Sequence, residues 1–165
     1  MSDNYIVING KRTELTDEQL KVLGIEVRKN PFEKVDIDNT YYFINAYGDV
    51  DTYTQLDDFE DHILFDHCNY FNDDSVARQV SLHQLLYRKL LKFAYDNDCI
   101  EAAEWGEDTL HYFVVYDADD LRYGCDYARI MKIPGLVYFS SEEAVMRAIE
   151  EVVKPFMKEH PDFVW

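Results

Sequence analysis

Glycine is scarce, with six in 165 residues and no G-x-G-x-x-G or G-x-x-x-x-G-K-[ST], so the sequence offers neither a dinucleotide-binding turn nor a phosphate-cradling loop. Cysteine is scarcer still. Cys68, Cys99 and Cys125 are odd in number and outside any C-x-x-C, which fits reduced thiols better than a disulfide frame or a zinc site. No stretch approaches the ~18 uninterrupted apolar residues of a membrane helix. The opening Met1-Ser2-Asp3-Asn4 lacks the basic and apolar regions of a signal peptide, so a cytoplasmic location is expected. Basic charge is also in short supply: 16 Lys and Arg face 33 Asp and Glu, a formal charge of −17 with a sequence pI near 4.5. A protein that binds nucleic acid or anionic lipid must supply positive charge, so both are excluded as direct partners and a basic partner is expected.

Catalytic and metal-binding patterns are missing too. His62 and His67, with Asp61, Asp66 and Cys68 nearby, offer donor atoms but no H-E-x-x-H or Cys/His spacing to set them on one face. Asp117-Ala118-Asp119-Asp120 lacks the central glycine and terminal glutamate of a calcium loop. No serine sits in a G-x-S-x-G elbow. Carboxylate pairs are unavoidable among so many acids and carry no information about glycoside chemistry. No metal, no cofactor and no enzymatic activity are expected.

What the chain does have is a foldable composition, 47% hydrophobic and 15% aromatic. Its patterns predict an α+β fold in three segments of one compact domain: an N-terminal hairpin and helix over 1–30, a first ββα unit over 31–98 and a second over 99–165. In the leader, Tyr5-Ile6-Val7-Ile8 reads as a strand and Asn9-Gly10 as a two-residue hairpin turn. Thr16 and Gln19 form a capping box for a short helix burying Leu20 and Leu23, with Gly24 as its stop. Tyr41–Ala46, a turn at Tyr47-Gly48-Asp49 and Val50–Tyr53 make a second hairpin. After an acidic connection, Asn69-Tyr70-Phe71-Asn72-Asp73-Asp74 leads into a helix over about Ser75–Tyr95, with Val76, Val80, His83, Leu86, Leu90, Phe93 and Ala94 on its buried stripe. The pattern then recurs: Tyr112–Tyr116, a turn through Asp117–Asp120, Leu121–Tyr123, and a helix start at Val137-Tyr138-Phe139 with Ser140 and Glu143 as capping box. Tyr42 to Tyr112 is 70 positions and Tyr70 to Tyr138 is 68, a spacing that suggests duplication. Pro155 should kink or end the last helix, and Trp165 should pack on the core.

The charge is concentrated in two blocks. Between Val35 and Ala77 there are eleven acids and no Lys or Arg; between Phe93 and Leu121, nine acids and again none. The remainder of the chain carries about +3 in total. Such a density of carboxylates approaches that of a short duplex, at about one charge per ~1.7 Å. Interleaved tyrosines supply faces for stacking and cation–π contact with Arg and Lys. The candidate partner-binding residues are Asp49, Asp51, Tyr53, Asp57, Asp58, Glu60, Asp61 and Asp66 in the first block, and Tyr116, Asp117, Asp119 and Asp120 in the second. Neutralising Asp57, Asp58, Glu60 and Asp61 together should weaken binding, flatten its salt dependence and leave the fold intact.

Asn30-Pro31-Phe32-Glu33-Lys34-Val35, Thr40-Tyr41-Tyr42-Phe43-Ile44, Asn69-Tyr70-Phe71-Asn72-Asp73 and Leu82-His83-Gln84-Leu85-Leu86 together resemble a group of small proteins. These are carried by phages and mobile elements of low-GC Gram-positive bacteria, and pair a tyrosine-rich "YYYI" strand with a "GNYF" helix start. The likeness covers most of 30–95 and recurs more weakly over 111–153; His67-Cys68 stands where the group more often has glycine before Asn69. It names no catalytic residue. It implies a mobile-element protein acting in the bacterial cytoplasm, a setting in which small acidic proteins inhibit host defence, as anti-CRISPR and antirestriction proteins do. The expected function is therefore a non-enzymatic nucleic-acid mimic that blocks the basic cleft of a CRISPR effector or restriction nuclease. The alternative is a protein–protein adaptor using tyrosines and apolar helix faces.

Overall fold

The computed structural model describes residues 5–8, 10–24 and 30–165, and the chain is α+β. Three antiparallel hairpins each form their own two-stranded sheet: β1 (Tyr5–Ile8) with β2 (Lys11–Glu14), β3 (Thr40–Ile44) with β4 (Val50–Thr54), and β5 (His111–Asp117) with β6 (Arg122–Ala128). The helices are α1 (Asp17–Val22), α2 (Phe59–Asp66), α3 (Asp74–Asp96), α4 (Glu142–Ala148) and α5 (Lys154–Glu159), the last two joined by a π-helical turn, Ile149–Val153.

The leader folds as its turn and cap residues dictate. Ile8 pairs with Lys11 across a two-residue loop, with Gly10 at φ 77°; Asn9 lies outside the described residues. Thr16 and Gln19 exchange backbone-to-side-chain hydrogen bonds in a capping box, and Gly24 stops the chain at φ 72°. Leu20 is buried as expected, whereas Leu23, just past the last residue of the helix, is exposed.

In the middle of the chain β3 and β4 pack on α3, and the segment after α2 returns to bridge β3. Tyr42 and Phe71 exchange two backbone hydrogen bonds, and Asn69 donates to the Ile44 carbonyl (2.9 Å) while accepting from the Ile44 N–H (2.8 Å). Asn69 thus closes the free end of β3 where no third strand does. Replacing Asn69 by alanine leaves both Ile44 groups unpaired and is expected to lower unfolding free energy by about 2 kcal/mol, read by urea denaturation. Below this bridge, Tyr41 and Tyr70 stack with ring centroids 4.0 Å apart. The Tyr70 hydroxyl donates to Gln55 Oε1 and accepts from the Val35 N–H.

The same joint recurs at β5, where Tyr112 and Phe139 exchange backbone hydrogen bonds. The connections leaving the two hairpins differ: α2 lies between β4 and Phe71, whereas the irregular segment 129–136 lies between β6 and Phe139. Common descent of the two units remains a proposal resting on that shared pairing.

The main core lies between α3, β5, α4, the π turn and α5, and is filled by Leu86, Leu90, Phe93, Val114, Phe139, Val145, Ile149, Val153 and Phe156. The C-terminal half of α3 presents the expected stripe, but its N-terminal half is rotated. Ala77 and Ser81 are buried in place of Val76 and Val80, because only small side chains let the β3–β4 turn approach, where the Ser81 hydroxyl donates to the Gly48 carbonyl. His83 is exposed, its ring edge against Phe163.

The second helix start also departs from the sequence expectation. Ser141, not Ser140, is the N-cap, accepting from the Ala144 N–H, while the Ser140 N–H donates to the Cys99 carbonyl. Pro155 does not end the helix. Lacking an N–H and clashing with the preceding turn, it is accommodated by the wider π turn just before it. Trp165 packs edge-on against Tyr123 and Phe163.

Candidate interaction surface

The acidic connection between β4 and Asn69 contains a helix that hydrophobic periodicity does not reveal. Asp58 accepts from the Asp61 N–H (3.0 Å) while Asp61 accepts from the Asp58 N–H (3.1 Å), a capping box built from two aspartates. Asp61 also accepts from the Leu56 N–H (2.8 Å) and the Tyr41 hydroxyl (2.8 Å), and is 0% exposed. Burial pushes its carboxyl up, but the Tyr41 hydroxyl and the backbone N–H groups of Leu56, Asp58 and Asp57 outweigh it and hold the group below the usual carboxylate range. The Tyr41 hydroxyl is pushed well above its ordinary range, first by burial and then by the bond to Asp61.

Asp61 is therefore an internal anchor rather than a contact residue, and Asp58 is committed to the same cap. This corrects the expectation that both are available to a partner and replaceable without loss of fold.

Turning Asp61 inward turns the apolar side of α2 outward. Phe59 is 74% exposed and Ile63 38%, four residues apart on one stripe of the helix, and Leu56, in the loop before the N-cap, is 53% exposed. Glu60 and Asp66 are exposed on the same short helix, and Asp57 precedes it in the left-handed region at φ 59°. Asp66 stands at the C-terminus of α2, where the helix dipole disfavours an anion and no basic residue occupies the last turn. Its charge adds nothing to helix stability. Tyr53, on the adjacent β4, is half-exposed with its ring edge toward Tyr41. Asp58 beside it, then burial, Glu60 and Asp61, raise its phenol above the ordinary value, a mark of strongly negative potential.

Most acids of the first block have no basic partner among the described residues. Asp74 pairs with Arg78 (2.7 Å) and Asp57 lies 3.5 Å from the exposed His62; Asp36, Asp38, Asp49, Glu60 and Asp66 make no side-chain hydrogen bond or ion pair. Asp51 accepts from the Asn45 amide (2.8 Å) on the exposed side of the hairpin. The carboxylates thus form an unneutralised face on β3–β4 and α2.

In the second block too, Asp98, Glu104, Glu107 and Asp108 make no side-chain hydrogen bond or ion pair among the described residues. Asp96 pairs with Lys92, Asp120 with Arg122 (2.8 Å), and Glu101 is nearly buried with an oxygen 3.5 Å from His111 Nδ1. Asp117 folds the β5–β6 turn by accepting from the Asp119 and Asp120 N–H groups, leaving Asp119 exposed at its tip. Tyr116 packs against Tyr123, ring centroids 5.1 Å apart, across the strand pair. The β3–β4 and β5–β6 hairpins do not pair with each other, and β5–β6 packs on α4. The sequence candidates thus divide. Asp49, Asp51 and Tyr53 lie on the β3–β4 hairpin and Asp57, Glu60 and Asp66 on or just before α2, whereas Tyr116, Asp117, Asp119 and Asp120 belong to the other hairpin. Sequence reasoning missed Leu56, Phe59 and Ile63; the signal was available in Asp58-x-x-Asp61, a helix start with an acid in the fourth position.

No group of three His, Cys, Asp or Glu side chains is placed to hold a metal ion among the described residues, and no described helix is long and apolar enough to cross a membrane. The fold and this face define an α+β chain with an exposed acidic and aromatic surface. Comparison with family models, curated proteins and solved structures finds no match.

Proposed function

We propose that this chain is a non-enzymatic binding protein whose β3–β4 and α2 face occupies a basic, nucleic-acid-binding surface of another protein and blocks it by occupancy. The observation that carries the reading is the unneutralised carboxylates of this face beside the exposed Leu56, Phe59 and Ile63. Free carboxylates steer a cationic cleft toward the face, and these apolar side chains give the encounter a desolvated centre. The resemblance to phage and mobile-element proteins makes a CRISPR effector or restriction nuclease the class of partner to test first.

The experiment is capture from a bacterial lysate on the pure protein, washed at ~0.1 M and ~0.5 M salt, where the screening length shortens from about 10 Å to a few Å. Recovery of a basic nuclease that is released at high salt and displaced by duplex DNA or guide RNA supports the proposal.

The exposed apolar side chains favour one second reading, an adaptor whose acids only solubilise them. Phe59→Ser separates the two. Its unfolding free energy should stay within about 0.5 kcal/mol of the parent's, since the ring is exposed. In the adaptor, binding is salt-insensitive and Phe59→Ser abolishes it; in the blocking protein, binding weakens while retaining its salt dependence.

A further inference from the structure

Among the described residues, every arginine but one is engaged. Arg78, Arg122 and Arg147 make ion pairs, and Arg12 and Arg129 lie over tyrosine rings. Arg88, on α3, has no hydrogen bond, ion pair or ring partner among the described residues, although the chain holds 33 acids. It lines a cavity of about 620 Å³ between the β3–β4 turn, the turn after α2 and the outer side of α3, and no Asp or Glu lines that cavity. The volume lies within the roughly 300–1,000 Å³ of small-molecule sites.

The cavity is divided chemically. Phe71, Val80 and Leu85 give it an apolar wall, while His67, Gln84 and Arg88 bring donors to its lining. Gln84 stands one turn before Arg88 on α3, and its amide likewise has no partner among the described residues. The guanidinium lies against the hairpin backbone, since a side chain at Gly48 would place its Cβ 3.2 Å from Arg88 Nη2. Gly48 itself is held on α3 by the Ser81 hydroxyl and sits at φ 92°, where other residues are strained. The turn is therefore fixed, and the open side of the guanidinium faces the cavity.

We propose that this cavity binds a small organic anion, a carboxylate or phosphate group on an apolar body, with Arg88 and Gln84 holding the anion and Phe71, Val80 and Leu85 the body. The site does not require the function proposed above. An arginine fork suits planar or tetrahedral oxyanions, and the absence of a competing carboxylate leaves it free to bind one.

The test is a titration of ¹⁵N-labelled protein with phenyl phosphate at ~0.15 M salt, following the amides of Gly48, His67, Cys68 and Asn69. Phenol supplies the body without the charge, and inorganic phosphate the charge without the body. Saturable shifts at these amides with phenyl phosphate, at least about 10-fold weaker for either fragment and about 10-fold weaker in Arg88→Met, support the site. The proposal is overturned by the absence of saturation below about 10 mM, by phenol binding as well as phenyl phosphate, or by unchanged affinity in a folded Arg88→Met protein. Should Arg88→Met disturb the fold, the comparison of phenyl phosphate with phenol on the parent protein decides alone.

Discussion

Asp61→Ala is expected to lower the unfolding free energy by about 3–4 kcal/mol, a large fraction of the ~5–15 kcal/mol that holds a domain of this kind together. Alanine leaves the Tyr41 hydroxyl and the N–H groups of Leu56 and Asp58 without their acceptor inside the protein, and removes half of the α2 capping box. Asp61→Asn keeps one acceptor oxygen and should cost less, about 1–2 kcal/mol. Chemical denaturation of the three proteins at neutral pH gives the ordering. Because the folded carboxyl lies below its unfolded value, its contribution is complete above about pH 4 and is lost as pH falls through the lower, folded value. The parent should therefore lose stability in that acid window, and Asp61→Asn should lose less of it. Equal stability of Asp61→Ala and the parent would mean that the buried carboxylate does not anchor the hairpin to α2.

The second large effect is on binding. Asp49→Asn, Asp57→Asn, Glu60→Gln and Asp66→Asn made together remove four exposed charges, none of which accepts a bond that the fold requires. Affinity for the basic partner is expected to fall about 10- to 100-fold at low salt, mainly through slower association. The unfolding midpoint should stay the same or rise, since like charges are relieved and Asp66 no longer opposes the α2 dipole. Combining a large binding loss with an undiminished midpoint separates this set from Asp61, whose loss acts through folding. Surface plasmon resonance and thermal unfolding on the same samples make the comparison.

Much of this molecule was legible in the sequence where one local rule dominated. Turn dipeptides and tyrosine-rich strands placed the first two hairpins and the Thr16 box the first helix, whereas the backbone bridges of Tyr42 with Phe71 and Tyr112 with Phe139 join segments that no local rule connects. The expectations that failed did so where tertiary packing overrode a pattern. Val76 and Val80 looked like core, but the approach of the Gly48 turn required Ala77 and Ser81 there. Ser140 and Glu143 formed a plausible box, yet pairing of Ser140 with Cys99 moved the cap to Ser141. In the acidic face the charge pattern did not distinguish carboxylates that build the helix, Asp58 and Asp61, from those left to solvent, Glu60 and Asp66. That distinction depends on the Tyr41 hydroxyl, which folding brings from twenty residues away, and on the left-handed turn at Asp57 that aims the Leu56 amide at Asp61. The outward turn of Phe59 follows from the same event.

The most direct test of the central claim is whether this chain and nucleic acid exclude each other on one partner. A basic nuclease recovered by the capture experiment is loaded with a fluorescent duplex or its guide RNA, and the protein is titrated in while anisotropy is followed. Displacement of the labelled strand, at concentrations that rise with salt and shift upward for the four-residue variant, is the result expected. A ternary complex in which the nuclease keeps its nucleic acid while holding this protein would contradict the account.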